Sequence, residues 1–111
     1  MSRQLDAVRL EAGGDGTWGL VGELGFATVS GLLKSTPRRF FEGGDVRLDL
    51  SGVTRADSAG LALLVEWLRE SASRGRSIDF LHIPEQMLSI ARVCGLADIL
   101  FGSTVNGTGE A

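Results

Sequence analysis

The segment VRLDLSGVTRADSAGLALLVEWL, residues 46–68, joins the pattern of a strand to that of a helix through a polar turn. Val46, Leu48 and Leu50 recur at every second position, which is typical of a half-buried strand. The apolar residues after the turn recur at helical spacing and predict one buried helix face, made of Leu61, Leu64, Val65, Leu68 and Ala72. This segment therefore predicts a strand followed directly by a helix, which is the basic unit of an α/β fold.

The polar turn carries two residues that can cap the helix. The first turn of a helix has backbone N–H groups without partners, and a short side-chain oxygen satisfies one of them. Either Asp57 or Ser58 is therefore expected to be the N-cap. The side chain of the other residue would then be available for a role other than capping.

The flanking segments complete an α/β pattern. The further predicted elements are a hairpin of strands at 7–12 and 17–24, a helix at 26–36 before Pro37, a strand at 77–83, and a helix between Pro84 and Gly95. The order β-β-α-β-α-β-α predicts a mixed, mostly parallel sheet with helices packed on it and an antiparallel N-terminal hairpin.

The C-terminal end is predicted to leave this pattern. Residues 96–101 are expected to form a short strand or an extended segment. Residues 102–111 are small, polar and rich in glycine, and they are expected to form a flexible tail. The predicted organisation is therefore one domain over residues 1–101 and a tail over 102–111.

Charge and hydropathy argue against several function classes. The chain has 111 residues with 11 Lys and Arg against 14 Asp and Glu, a net charge of −3, and its basic residues are scattered. This balance disfavours binding to nucleic acid, which needs clustered positive charge. The N-terminus lacks the apolar run of a signal peptide, and no apolar stretch reaches the roughly 20 residues that span a bilayer. We expect a cytoplasmic protein without direct membrane insertion, in which any membrane link would come through a partner.

The residue types that carry catalysis or bind metals are sparse. One cysteine and one histidine cannot supply the four ligands of a zinc site. Cys94 lies among apolar residues and is expected to be a small core residue. His82 is expected in the core or at a strand end, and no base for the Ser58 hydroxyl can be identified from the sequence. We therefore predict no catalytic residue, no cofactor and no metal.

Two large apolar residues fall outside the predicted buried face of the central helix. Leu63 and Trp67 are four residues apart and lie beside Glu66 and Glu70. Because tryptophan is enriched in binding hot spots, we expect one partner-binding surface, made of Asp57, Ser58, Ala59, Leu63 and Trp67. The alternative is that Trp67 lies beneath a neighbouring loop or the C-terminal tail.

Three segments occur together along the chain: LDLSGV at 48–53, DSAGL at 57–61 and CGLADIL at 94–100. Together they resemble the STAS family, the sulfate transporter and anti-sigma factor antagonist domains, over roughly residues 7–101. In that family the Ser or Thr after the Asp is often a phosphorylation or regulatory position. The resemblance therefore implies such a role for Ser58.

The resemblance implies two different partners. The segment GLALL at 60–64 is most similar to the small STAS subunit of the Mla phospholipid-trafficking ABC transporter, which binds the transporter's ATPase. The Asp-Ser-Ala-Gly turn is more similar to the anti-sigma factor antagonists, which are switched by serine phosphorylation. The first branch implies a non-catalytic adaptor of an ABC ATPase. The alternative is an antagonist whose partner is an anti-sigma factor kinase.

Overall fold

The predicted order of strands and helices is confirmed, with one further helix at the C-terminal end. The computed structural model describes the backbone of residues 8–106 and all of their side chains except those of 39 and 102–106. The strands are β1 (Arg9–Gly14), β2 (Thr17–Leu24), β3 (Val46–Ala56) and β4 (Ile78–Leu81). The helices are α1 (Val29–Ser35), α2 (Ser58–Ser73), α3 (Glu85–Val93) and α4 (Ala97–Asn106), and a 3-10 helix covers Arg38–Phe41.

The four strands form one mixed sheet in the order β1-β2-β3-β4. β1 pairs with β2 antiparallel, whereas β2 with β3 and β3 with β4 pair parallel. This confirms the predicted α/β fold with an N-terminal hairpin and a mostly parallel sheet. On β3 the alternating residues Val46, Leu48 and Leu50 are buried, as their spacing predicts.

The buried face of α2 differs from the predicted one. Its buried residues are Gly60, Leu61, Leu63, Leu64, Trp67 and Ser71, whereas Ala72 is exposed. Leu63 retains 4% and Trp67 2% of its accessible surface. The expectation that these two side chains lie on an exposed binding surface is therefore wrong. Instead they belong to the hydrophobic core.

The reason lies in the segment that precedes β3. Its 3-10 helix places the Phe40 ring 4.7 Å from the Trp67 ring and the Phe41 ring 6.4 Å from it, measured between centroids. Trp18 of β2 meets Phe40 edge to face at 5.3 Å. The segment therefore covers the side of α2 that would otherwise face solvent, which agrees with the alternative of a neighbouring loop over Trp67.

Arg76 holds this covering segment in place. Its guanidinium donates hydrogen bonds to the carbonyl oxygens of Phe40 at 2.9 Å, Phe41, and Gly44 at 3.0 Å. These carbonyls belong to residues that follow or end a helical turn and lack helical donors. One side chain from the connection between α2 and β4 therefore satisfies three backbone acceptors and fixes the rings above Trp67.

The C-terminal end differs from its prediction in three respects. Residues 97–101 are helical rather than extended, and Leu100 and Phe101 are buried. Cys94 is exposed at the end of α3 and is not a core residue. The backbone stays helical through Asn106, past the predicted start of the tail at 102, and residues 107–111 lie outside the described part of the chain. Gly95, with φ of 73°, ends α3 and allows the chain to turn into the next helix.

Candidate functional site

The parallel pairing of β2 with β3 brings two connections together. Leu24 at the end of β2 is paired with Ala56 at the end of β3. The loop at 25–28 and the turn into α2 therefore lie side by side at the carboxyl edge of the sheet. The Asp57 N–H donates to the Leu24 carbonyl oxygen at 3.3 Å, which joins the two connections directly.

Asp57 is the N-cap of α2. Its Oδ1 accepts hydrogen bonds from the N–H groups of Ala59 at 2.9 Å and Gly60 at 3.2 Å. Its Oδ2 accepts from the N–H of Phe26 at 3.0 Å, across 31 residues of sequence. Both carboxylate oxygens are therefore used inside the protein, one to begin the helix and the other to hold the neighbouring loop.

These hydrogen bonds set the charge state of Asp57. The bond from the Phe26 N–H, followed by those from Gly60 and Ala59, lowers the pKa of the Asp57 carboxyl below its ordinary 3.8, and nearby Arg55 adds a smaller effect. Partial burial opposes the shift without cancelling it. The group is therefore a carboxylate at neutral pH and a poor proton acceptor.

Asp57→Ala is expected to lower the free energy of unfolding at neutral pH by about 0.5–2 kcal/mol, the usual range for loss of an N-cap. Because the pKa is lowered in the folded state, this stabilisation is complete above pH 3.8 and is lost as the pH falls through the lower folded value. The difference between wild type and variant should therefore shrink in acid. Urea unfolding at pH 7 and at successive acidic pH values measures it.

Asp79→Ala is the matched control, because Asp79 is exposed and makes no side-chain hydrogen bond with the described residues. It should leave the free energy of unfolding nearly unchanged at each pH. An Asp57→Ala loss that stayed constant into strong acid would show that the carboxylate charge does not hold this turn.

Ser58 is the first residue of α2 and is exposed. Since Asp57 caps the helix, the Ser58 hydroxyl is not used for capping, and it makes no hydrogen bond with any residue that the structure describes. Ala59 beside it is half-buried. Of the five residues predicted to form a binding surface, the turn residues Asp57, Ser58 and Ala59 therefore lie together, whereas Leu63 and Trp67 do not join them at the surface. The partner-binding role of the three turn residues stays a prediction.

Two glycines allow the close approach of the loops. A Cβ at Gly60 would lie 2.2 Å from the Leu24 carbonyl oxygen, and one at Gly25 would lie 2.7 Å from Asp57 Oδ2. Either contact is too short for carbon and oxygen to tolerate. Gly60 lies in the DSAGL segment at 57–61, which resembles the STAS family. Gly25 was not predicted from the sequence, where the only signal is that this glycine directly follows a strand.

Phe26 is a second residue that the sequence did not single out. The pattern placed it at the start of a helix, but α1 begins at Val29. The Phe26 side chain is 84% exposed, beside the turn that carries Ser58. A shallow pocket of about 100 Å³ lies between the two connections, lined by residues 23–28 and 55–57. The pair of Arg55 and Glu23, 3.4 Å apart, belongs to its polar lining.

The histidine lies elsewhere on the sheet. His82 follows β4, is exposed, and its Nδ1 is 3.1 Å from Asp49 Oδ1. Asp49 also accepts a hydrogen bond from the Ser51 N–H, which is the main cause of its lowered pKa. His82 is therefore a strand-end residue, one of the two predicted positions. Within residues 8–106, no three His, Cys, Asp or Glu side chains form a group that could hold a metal.

The family assignment follows from comparison with known proteins. The sequence model described as "Mlab, STAS domain" matches residues 3–102. The chain belongs to the MlaB-type STAS domain family. This confirms the resemblance that the three sequence segments indicate.

A curated relative of this STAS domain is the intermembrane phospholipid transport system binding protein MlaB of Haemophilus influenzae. The two are 36% identical over 53 residues, which make up 48% of this chain and 50% of the relative. The alignment therefore spans about half the length of that protein.

In this MlaB-type STAS domain the candidate site is a surface and not a cleft. It consists of the exposed Ser58 hydroxyl, the exposed Phe26 ring and the shallow pocket between their two connections. None of the helices in the described part of the STAS domain is long and apolar enough to cross a membrane.

Proposed function

We propose that the chain is a non-catalytic STAS adaptor that binds the ATPase of an Mla-type phospholipid-transport ABC system. The observation that carries the proposal is the match of residues 3–102 to the MlaB-type STAS family. The name of the relative, a binding protein of an intermembrane phospholipid transport system, supports the same assignment. The name of the relative also favours an Mla-type adaptor over an anti-sigma factor antagonist. The proposal places the protein in the cytoplasm, at the inner membrane through the transporter.

The geometry of the turn supports an interaction surface over a reaction centre. A serine nucleophile needs an adjacent base. The carboxylate next to Ser58 belongs to Asp57, whose two oxygens both accept backbone N–H groups and whose pKa is lowered. Asp57 is therefore poorly suited to accept the proton of the hydroxyl. The Ser58 hydroxyl has no hydrogen-bond partner among the described residues and lies on an exposed turn, so it is suited to donate a hydrogen bond to a partner.

The adaptor would act by mass action. A protein that binds one conformation of its partner preferentially raises the population of that conformation, with no chemistry of its own. Here the favoured conformation is the assembled, ATP-competent state of the ATPase. Contacts through Asp57, Ser58 and Ala59 would connect the start of α2 to that state, and a charge at Ser58 would regulate it.

Ser58→Asp is expected to weaken binding to the ATPase at least about tenfold, which corresponds to about 1.4 kcal/mol. The new carboxylate replaces a hydroxyl donor and adds charge beside the Asp57 carboxylate. The fold should survive, because a negative charge in the first turn of a helix is favourable. Titration calorimetry with the purified Mla-type ATPase of the same organism measures the affinity, and thermal unfolding of the free chain measures stability.

Ser73→Asp is the matched control, because Ser73 is an exposed serine at the opposite end of α2. It adds the same charge and should bind like the wild type. Failure of the wild-type chain to bind or copurify with the ATPase would overturn the proposal. Stoichiometric phosphorylation of Ser58 by an anti-sigma factor kinase, without ATPase binding, would favour the other branch.

A further inference from the structure

The most exposed aromatic side chain in the described part of the chain lies beside the Ser58 turn. Phe26 keeps 84% of its accessible surface and makes no ring contact with another described residue. It does not belong to the aromatic cluster of the core, in which Phe40 contacts Trp18 and Trp67. A large apolar side chain left in water costs free energy that burial against a partner would recover.

We propose that Phe26 is the apolar anchor of the ATPase contact and inserts into an apolar pocket of that ATPase, next to the group that meets Ser58. The inference rests on the proposed function, and it names a residue and a surface chemistry that the family assignment does not supply. The partner of Phe26 is therefore the ATPase of the proposed function, and the pocket on that ATPase that receives the ring must be apolar.

The position of Phe26 is fixed before any partner arrives. Asp57 Oδ2 accepts its N–H at 3.0 Å, so the loop is bound to the cap of α2. Thr28 Oγ1 donates to the Glu23 carbonyl at 2.6 Å and accepts from the Gly25 N–H at 3.1 Å. Because the backbone is held at both sides of the ring, little ordering entropy is lost when the ring is buried.

Asp57 also makes the anchor and the hydroxyl one surface. One of its oxygens holds the loop of Phe26, and the other holds the turn that presents Ser58. The pocket between them is bordered by the exposed Arg55 and the half-buried Glu23, which form an ion pair. An apolar anchor beside polar and charged residues is the usual composition of a specific protein interface.

Phe26→Ala is expected to weaken binding to the purified ATPase by about 30-fold, the size expected when a hot-spot residue is truncated. Phe26→Leu keeps an apolar side chain and should restore part of the affinity. Neither change should lower the melting temperature of the free chain, because the ring is exposed. Titration calorimetry of each variant against the same ATPase preparation gives the affinities.

Val93→Ala is the matched control, because Val93 is 88% exposed but lies at the far end of α3. It loses exposed apolar surface away from the turn and should bind like the wild type. Wild-type affinity in Phe26→Ala, with weakened binding in Ser58→Asp, would overturn the anchor and leave the proposed function standing. Equal losses in Phe26→Ala and Val93→Ala would also overturn it. Absence of binding by the wild type would overturn the proposed function itself.

Discussion

Trp67→Ala is expected to lower the free energy of unfolding by about 3–5 kcal/mol, the range for removing a buried Trp or Phe ring. The indole is 2% exposed and packs against Phe40 and Phe41, so its removal leaves a cavity beneath the 3-10 helix. A domain of this size is stable by only about 5–15 kcal/mol, which makes this a large fraction of the total. Urea unfolding followed by far-UV circular dichroism measures the loss.

Trp67→Phe is the matched control. It retains a ring against Phe40 and removes an indole N–H that has no hydrogen-bond partner among the described residues. Because a buried donor without a partner is itself unfavourable, this variant should lose much less stability than the alanine variant. If Trp67→Ala instead kept wild-type stability and lost only ATPase binding, the indole would lie on the surface, as the helical pattern alone suggested.

Gly60→Ala is the second change with a large expected effect. The added Cβ would lie 2.2 Å from the Leu24 carbonyl oxygen and 2.8 Å from the Leu24 side chain. The contact with the carbonyl oxygen cannot be relieved by a side-chain movement, because that carbonyl belongs to the backbone of β2. We expect a loss of at least about 3 kcal/mol, the upper range for an overpacked site. The same urea unfolding experiment measures it.

Gly31→Ala provides the comparison within the same protein. Gly31 lies inside α1, is exposed, and an added Cβ would meet nothing within 4 Å. Because alanine favours a helix over glycine, this variant should gain about 0.5–1 kcal/mol. A lower free energy of unfolding in Gly60→Ala together with a higher one in Gly31→Ala would show that crowding at Leu24, and not the loss of glycine as such, destabilises Gly60→Ala. A small loss in Gly60→Ala would mean that α2 can move away from β2.

The candidate site was only partly predictable, for reasons visible in particular residues. The turn at 57–59 was found because capping chemistry places short oxygen-bearing residues before a helix. The sequence could not distinguish Asp57 from Ser58 as the cap, because both carry a suitable oxygen. Phe26 and Gly25 were missed because their role depends on the loop after β2 meeting the end of β3, 31 residues later.

Local sequence patterns by themselves determined the order of strands and helices as far as α3 and the position of the hairpin, and capping residues determined the place where α2 begins. Strand and helix repeats depend on backbone geometry, which acts between neighbours in the chain. Only the tertiary structure decided which side of α2 is buried. That helix is apolar over more than one face, and Leu63 and Trp67 became core because the 3-10 helix at Arg38–Phe41 packs over them. Such packing joins segments far apart in sequence, and no repeat within one helix can encode it.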